Sequence, residues 1–137
     1  MANLNASQFV HFIPFLKRTE VHGLIQTSDL YLDTIGFARL NTAIQVLACN
    51  LPVMTTEGTK MRGRLAGALL NKLDLKELVC KSDWEYIDKT VELIQNRERL
   101  NVIKEKISQT QNILFNDLEP IRALENFLLK QMQKSTH

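Results

Sequence analysis

Residues 29–58, DLYLDTIGFARLNTAIQVLACNLPVMTTEG, constrain the fold more than any other stretch of this chain. They read as strand, loop, helix, strand and glycine turn. Leu30-Tyr31-Leu32 is a short apolar strand closed by Asp33, and Thr34-Ile35-Gly36-Phe37 forms the loop that leaves it. A helix from about Asn41 to Cys49 puts Ile44, Leu47 and Ala48 on one face. Asn50 suits a left-handed C-cap, and Pro52 blocks continuation. Val53-Met54-Thr55 is the next strand, and Glu57-Gly58 turns out of it. A strand, a helix and a strand at this spacing imply a parallel pair with a right-handed crossover. Ligands of such open sheets sit at the carboxyl ends of the strands, where free amides at a helix start attract phosphate.

The sequence around this unit predicts few further strands. Phe9-Val10-His11-Phe12-Ile13 is a nearly continuous apolar run ended by Pro14, the pattern of a strand covered on both faces. Thr19 is positioned to cap a short helix through Ile25. Beyond Gly58 the periodicity is helical throughout, with segments expected over Met61–Leu73, a short turn at Leu75–Val79, a helix after Ser82, one from Arg97 to about Gln109, and a last one over Leu118–Met132. Ser82 with Glu85 reads as a capping box, and Pro120 suits a helix's first turn. Three short strands are too few for the usual doubly wound sheet. The expected fold class is therefore α/β: a partial Rossmann-like parallel sheet over residues 1–80, followed by a C-terminal helical extension over 81–137.

Composition narrows the function classes. At 137 residues there is material for one modest core. A formal charge of +2 is too small to point to nucleic acid or a membrane surface. No apolar run reaches the roughly 18 residues of a membrane span. MANLNASQF lacks the basic-then-apolar pattern of a signal peptide, so the cytoplasm is the expected location. Cys49 and Cys80 lie in apolar surroundings without metal-ligand spacing and read as small buried hydrophobes; no metal or cofactor is expected.

Candidate ligand contacts gather near strand ends. Asn41 and Thr42 open a helix directly after a glycine-bearing loop. They suit a diphosphate, but simple N-capping is what these residue types do everywhere. Gln45, one turn on, can reach a ribose hydroxyl or merely face solvent. Lys60, Arg62 and Arg64 crowd the start of the next helix against its dipole, an arrangement that a bound anion or plain solvation would relieve. Lys17 and Arg18 are expected to end the first strand at the same edge and join that pocket, with His22 on the surface near them. His11 is expected in or near the core, and Trp84 and Tyr86 read as packing residues. No Ser/His/Asp, Cys/His, Walker or GxGxxG arrangement occurs, and no catalytic residue is assigned.

The stretch LYLDTIGFARLNTAIQVLACNLPVMTTEGTKMRGRLAGALL resembles the C-terminal lobe of the O-linked N-acetylglucosamine transferase-like glycosyltransferases, especially bacterial members carrying tetratricopeptide repeats. The LDT strand end, the NTAIQ helix start, the LACNLPV crossover and the EG-xxx-RGRLA turn carry the likeness. It runs on through LDLKELVCKSDWEYIDKTVEL and covers roughly Ser7 to Leu129.

The resemblance implies the second half of a GT-B C-terminal lobe. A UDP-sugar donor would be bound in the cleft facing an N-terminal lobe that lies outside this sequence. It implies that Asn41 and Thr42 meet the diphosphate and that Arg18 occupies a basic position of the nucleotide pocket. Arg64 matches an arginine in the loop after the next strand, and Gln45 falls where relatives place an acidic residue on the ribose. Lys17, Lys60 and Arg62 are weaker candidates. Departures accompany the match: Leu40 stands where transferases of higher organisms have histidine, Gln45 replaces their aspartate, Ala38-Arg39 stands for small residues, and Asn50 stands for glycine. The expected function is donor diphosphate binding for sugar transfer to a protein or glycan hydroxyl. The alternative is a non-catalytic interaction module, or a decayed fragment of such an enzyme, with the basic cluster on a protein partner. A phosphate-sensing receiver lacks its acidic cluster here.

Overall fold

In the computed structural model, which describes residues 6–135, three short parallel strands form one sheet. They are β1 (Tyr31–Leu32), β2 (Val53–Thr56) and β3 (Val79–Cys80), in the spatial order β1-β2-β3. Tyr31 lies opposite Val53 and Leu32 opposite Met54; on the other side Thr55 pairs with Val79 and Thr56 with Cys80. Central β2 is apolar and buried at Val53 and Met54, as a strand covered on both faces should be.

Among the described residues seven α-helices accompany the sheet: α1 (Arg18–Thr27), α2 (Leu40–Ala48), α3 (Leu65–Lys72), α4 (Asp83–Gln95), α5 (Arg97–Thr110), α6 (Asn112–Phe115) and α7 (Glu119–Ser135). Short 3-10 turns occupy Ala6–Phe9, Met61–Gly63 and Lys76–Leu78. One apolar cluster unites Val46 and Leu47 of α2, Val53 and Met54 of β2, Leu70 of α3, Tyr86 and Leu93 of α4, and Leu100, Ile103 and Ile107 of α5. The thin apolar seam of α5 is therefore part of the core beneath the sheet. The crossover from α2 to β2 ends as its residues require. Asn50 is left-handed at φ 60, and the N–H of Leu51 reaches back to the Val46 carbonyl at 3.2 Å.

The expected α/β class with three short parallel strands and a helical end is what forms, but the strands are not all the expected ones. Phe9–Ile13 is not a strand: a 3-10 turn ends at Phe9 and the chain runs without regular structure to Lys17. Phe12 and Phe15 are 96% and 98% exposed. A strand needs a hydrogen-bonded neighbour, and among the described residues none pairs on the outer side of β1. The third strand is instead Val79–Cys80, at the end of a segment expected to be a turn of helix. A two-residue strand leaves no periodicity to read.

Other expectations shift locally. The first helix is capped by Lys17 rather than Thr19: the Lys17 N–H donates to Glu20 Oε2 at 2.6 Å. Lys17 and Arg18 therefore open α1 instead of closing a strand. Met61–Leu73 splits at Arg64 into a 3-10 turn and α3. At α4 Ser82 Oγ accepts from the Glu85 N–H as expected, while Glu85 Oε2 accepts from the Lys81 N–H. Trp84 is 78% exposed, because the inward face of α4 is set by Tyr86, Thr90 and Leu93. His11 is likewise exposed rather than in the core. Pro120 lies in the first turn of α7.

Candidate functional site

Two loops at the carboxyl end of the sheet are laced together. The loop after β1 turns at Gly36, which is left-handed at φ 79, and the N–H of Ala38 donates to the Arg62 carbonyl at 2.9 Å. The loop after β2 folds Gly58 onto Gly63, with the Gly58 N–H donating to the Gly63 carbonyl at 2.9 Å. Beneath them Asp33 is buried. Its Oδ2 accepts from Thr55 Oγ1 at 2.9 Å, and its backbone carbonyl accepts from the Tyr86 hydroxyl at 3.0 Å. This frame aims the start of α2 outward. The capping residue of α2 is Arg39, whose side chain makes no cap hydrogen bond, so the first amides of the helix keep their donor capacity.

Five of the expected ligand contacts, Arg18, Asn41, Thr42, Gln45 and Lys60, line three hollows. Phe37, Ala38, Arg39, Leu40, Asn41 and Thr42 line one at the start of α2, about 370 Å³ in volume. A larger groove between α1 and α2, about 470 Å³, is lined by Phe15, Leu16, Arg18, Val21, His22, Ile25, Gln45 and Ala48. Asn41 and Gln45 are one helical turn apart and share a face of α2, so the two hollows adjoin along that helix. The third hollow, about 280 Å³, lies at the ends of β2 and β3 and includes Gly58, Lys60, Lys81 and Ser82.

The structure thus brings Arg18 and Gln45 together, with Asn41 and Thr42 beside them. It does not bring all the cations there. The Arg62 guanidinium lies 5.9 Å from the centre of the ring of Phe37, a residue of the first hollow, within cation–π range. Arg64 donates through Nε to the Gly58 carbonyl at 2.8 Å, which spends part of its fork on the loop. Lys60 faces the third hollow, and Lys17 lines none of the three.

Residues 4–119 match the model of glycosyl transferase family 41. The chain belongs to this glycosyltransferase family. Among solved structures it is similar to a point variant of the O-GlcNAc transferase of Thermobaculum terrenum, with 27% identity and a TM-score of 0.74 over 85% of this chain. The chain spans 23% of that protein's length. It corresponds to the C-terminal part of an O-GlcNAc transferase-like glycosyltransferase, and its sheet and helices match the C-terminal lobe of that fold.

The sequence alone assigns no role to two features of this part of the chain. In the sequence Asp33 is only a carboxylate at a strand end; the parallel register Leu32–Met54 places it beside Thr55, and the pairing of those strands is the signal that finds it. His22 lines the groove between α1 and α2, and its Nε2 lies 3.2 Å from Cys49 Sγ. Burial pushes the Cys49 thiol above its ordinary pKa, so it stays protonated at neutral pH. Burial, then the charge of Asp33, pushes the Tyr86 hydroxyl up to about 12. Tyr31 is raised by the same two causes in the same order. Among the described residues no group of three or more His, Cys, Asp or Glu side chains could hold a metal ion, and no helix is long and apolar enough to cross a membrane.

Proposed function

We propose that this chain holds the nucleoside diphosphate of a UDP-sugar donor, for transfer of the sugar to a protein or glycan hydroxyl. The observation that carries the reading is the meeting of Arg18 and Gln45 in one groove that adjoins the Asn41–Thr42 helix start. In this assignment the apolar groove of Phe15, Leu16 and Val21 takes the base, and Gln45 hydrogen-bonds the ribose. The diphosphate lies against the amides and side chains of Asn41 and Thr42. Arg18, with Arg62 near Phe37, offsets its charge, and Arg64 contributes through the fork nitrogens not used on Gly58.

The chemistry asked of these groups is electrostatic. As the glycosidic bond breaks, negative charge gathers on the departing diphosphate, and fixed donors already aimed at that position lower the barrier. No cofactor is needed for that step, because the donor is a substrate and this chain's own cations and amides meet its charge. The acceptor and the group that takes its proton belong to the remainder of the enzyme. That remainder is the partner we assign to the exposed apolar faces of Phe12, Phe15 and α7, where Ile121, Leu124, Phe127 and Leu128 are each more than half exposed. We place the protein in the cytoplasm, in keeping with the free thiols of Cys49 and Cys80.

Titration with UDP, followed by amide NMR, tests the reading. Shifts should concentrate at Arg18, Asn41, Thr42 and Gln45, and Arg18→Ala should weaken binding about tenfold, the scale of one charge-assisted contact. If saturating UDP leaves those four amides unmoved, both in this chain and in a reconstituted two-lobed enzyme, the site is not a donor site. Binding of a protein partner through Lys60, Arg62 and Arg64, without UDP, would favour an interaction module instead.

A further inference from the structure

Asp33 makes contacts that a merely space-filling residue would not. It is a buried carboxylate, and such a group is costly unless its oxygens are satisfied. Oδ2 accepts from Thr55 Oγ1 of β2 at 2.9 Å, and Oδ1 faces the N–H of Arg39 at 3.4 Å. The Asp33 N–H donates to the Met54 carbonyl at 2.9 Å, and its carbonyl accepts from Tyr86 of α4 at 3.0 Å. One residue thereby links the end of β1, β2, α4 and the residue that caps α2. Arg39 sets the direction of α2, since its carbonyl accepts the Ala43 N–H at 2.9 Å and begins the helical ladder. The carboxylate therefore holds the residue from which the free amides of Leu40, Asn41 and Thr42 take their aim.

We infer that Asp33 is a positioning residue for the donor diphosphate, acting through Arg39 to orient the start of α2. This rests on the donor reading above. It does not extend to the base, because the groove of Phe15, Arg18 and Gln45 lies along the flank of α2 and against α1, away from the Arg39 cap. The arrangement also has an electrostatic cost. A negative charge set behind an anion site repels the anion, so Asp33 would weaken diphosphate binding if charge were its only effect.

That opposition gives a discriminating test on the full chain, with UDP and uridine as the two probes. Asp33→Ala removes both the charge and the hydrogen bonds; Asp33→Asn removes the charge but can still accept from the Arg39 N–H while donating to the Thr55 hydroxyl. Asp33→Ala should weaken UDP about tenfold, the scale of lost hydrogen bonds to a charged group. Asp33→Asn should restore most of that loss, and uridine affinity should be unchanged in both. Thr55→Val, nearly isosteric and without the donor, should weaken UDP several-fold with uridine again unchanged; it carries the test if Asp33→Ala does not fold.

UDP binding unchanged or tightened in Asp33→Ala (or in Thr55→Val, should it carry the test), or equal loss of UDP and uridine, would overturn the inference. If neither the unsubstituted chain nor the reconstituted two-lobed enzyme binds UDP or uridine, the donor reading fails by itself. The positioning role is then decided by hydrogen exchange at the Arg39 amide: faster exchange in Thr55→Val than in the parent upholds it, and equal exchange removes it.

Discussion

Gly58 and Gly63 back directly onto one another. A Cβ built on Gly58 would meet the Gly63 Cα at 2.8 Å, and one on Gly63 would meet the Gly58 Cα at 3.0 Å. Both obstacles are backbone, which cannot swing aside as a side-chain tip can. Gly58→Ala or Gly63→Ala should therefore destabilise the fold by roughly 1–3 kcal/mol, the usual cost of overpacking a tight site. It should also pull the Ala38–Arg62 hydrogen bond apart. Denaturant melts measure the first effect, and loss of protection at the Ala38 amide measures the second. Arg64→Ala, which removes the Nε bond to the Gly58 carbonyl, should cost less, about 1 kcal/mol.

The core beneath the sheet predicts a larger effect. Leu47 and Leu70 are fully buried in the shared cluster of α2, α3 and β2. Leu47→Ala or Leu70→Ala should lose about 2–5 kcal/mol through lost burial and the cavity left behind. In a chain of this size such a loss removes much of the total stability. Chemical denaturation of both variants against the parent gives the comparison, and a loss below about 1 kcal/mol would mean that the site collapses around the missing methyls.

Tyr86 predicts the alkaline behaviour. Its hydroxyl is raised from 10.0 to about 12 in the folded state. A group whose folded pKa lies above its unfolded value contributes fully below the unfolded value, and loses that contribution as pH rises through the folded one. Stability should therefore fall between about pH 10 and pH 12, as the unfolded tyrosine gives up its proton first. Tyr86→Phe should flatten that fall while lowering stability near neutrality by about 1 kcal/mol, because the hydrogen bond to the Asp33 carbonyl is gone. Urea melts across that pH range test both halves.

The exposed aromatic residues before α1 predict association rather than unfolding. Phe12 and Phe15 are almost fully exposed, and exposed apolar patches of this kind mark surfaces that another chain covers. Phe12→Ser should change stability by less than about 0.5 kcal/mol. It should reduce self-association in light scattering. The isolated chain should be only marginally stable, and a sharp cooperative melt of a monomer would count against that expectation.

How much of this was legible in the sequence depends on the range of the interactions involved. The β1-α2-β2 unit was readable because Asn50 and Pro52 are local signals, each decided by a few neighbouring residues, although α2 buries Ala43, Val46 and Leu47 rather than the expected Ile44, Leu47 and Ala48. Ser82 and Pro120 were readable for the same reason, since caps are made within one turn of chain. Phe9–Ile13 forms no strand because a strand is not a local object: its apolar run suits a sheet position, yet among the described residues no neighbouring strand is there to hold its amides. Val79–Cys80 escaped notice for the converse reason. It is a strand only because Thr55 and Thr56 lie beside it.

The same division runs through the candidate site. Sequence alone determined the helix start after the glycine-bearing loop, the parallel crossover and the family likeness, because these rest on residue types in fixed local order. Tertiary structure decided that Arg18 and Gln45 line one groove, and that Asp33 is buried under the hydroxyls of Thr55 and Tyr86. Those contacts join residues far apart in the chain. They exist only once the packing of α2, α3, α4 and α5 on three short strands has set the distances, and no local pattern of side chains encodes a distance of that kind.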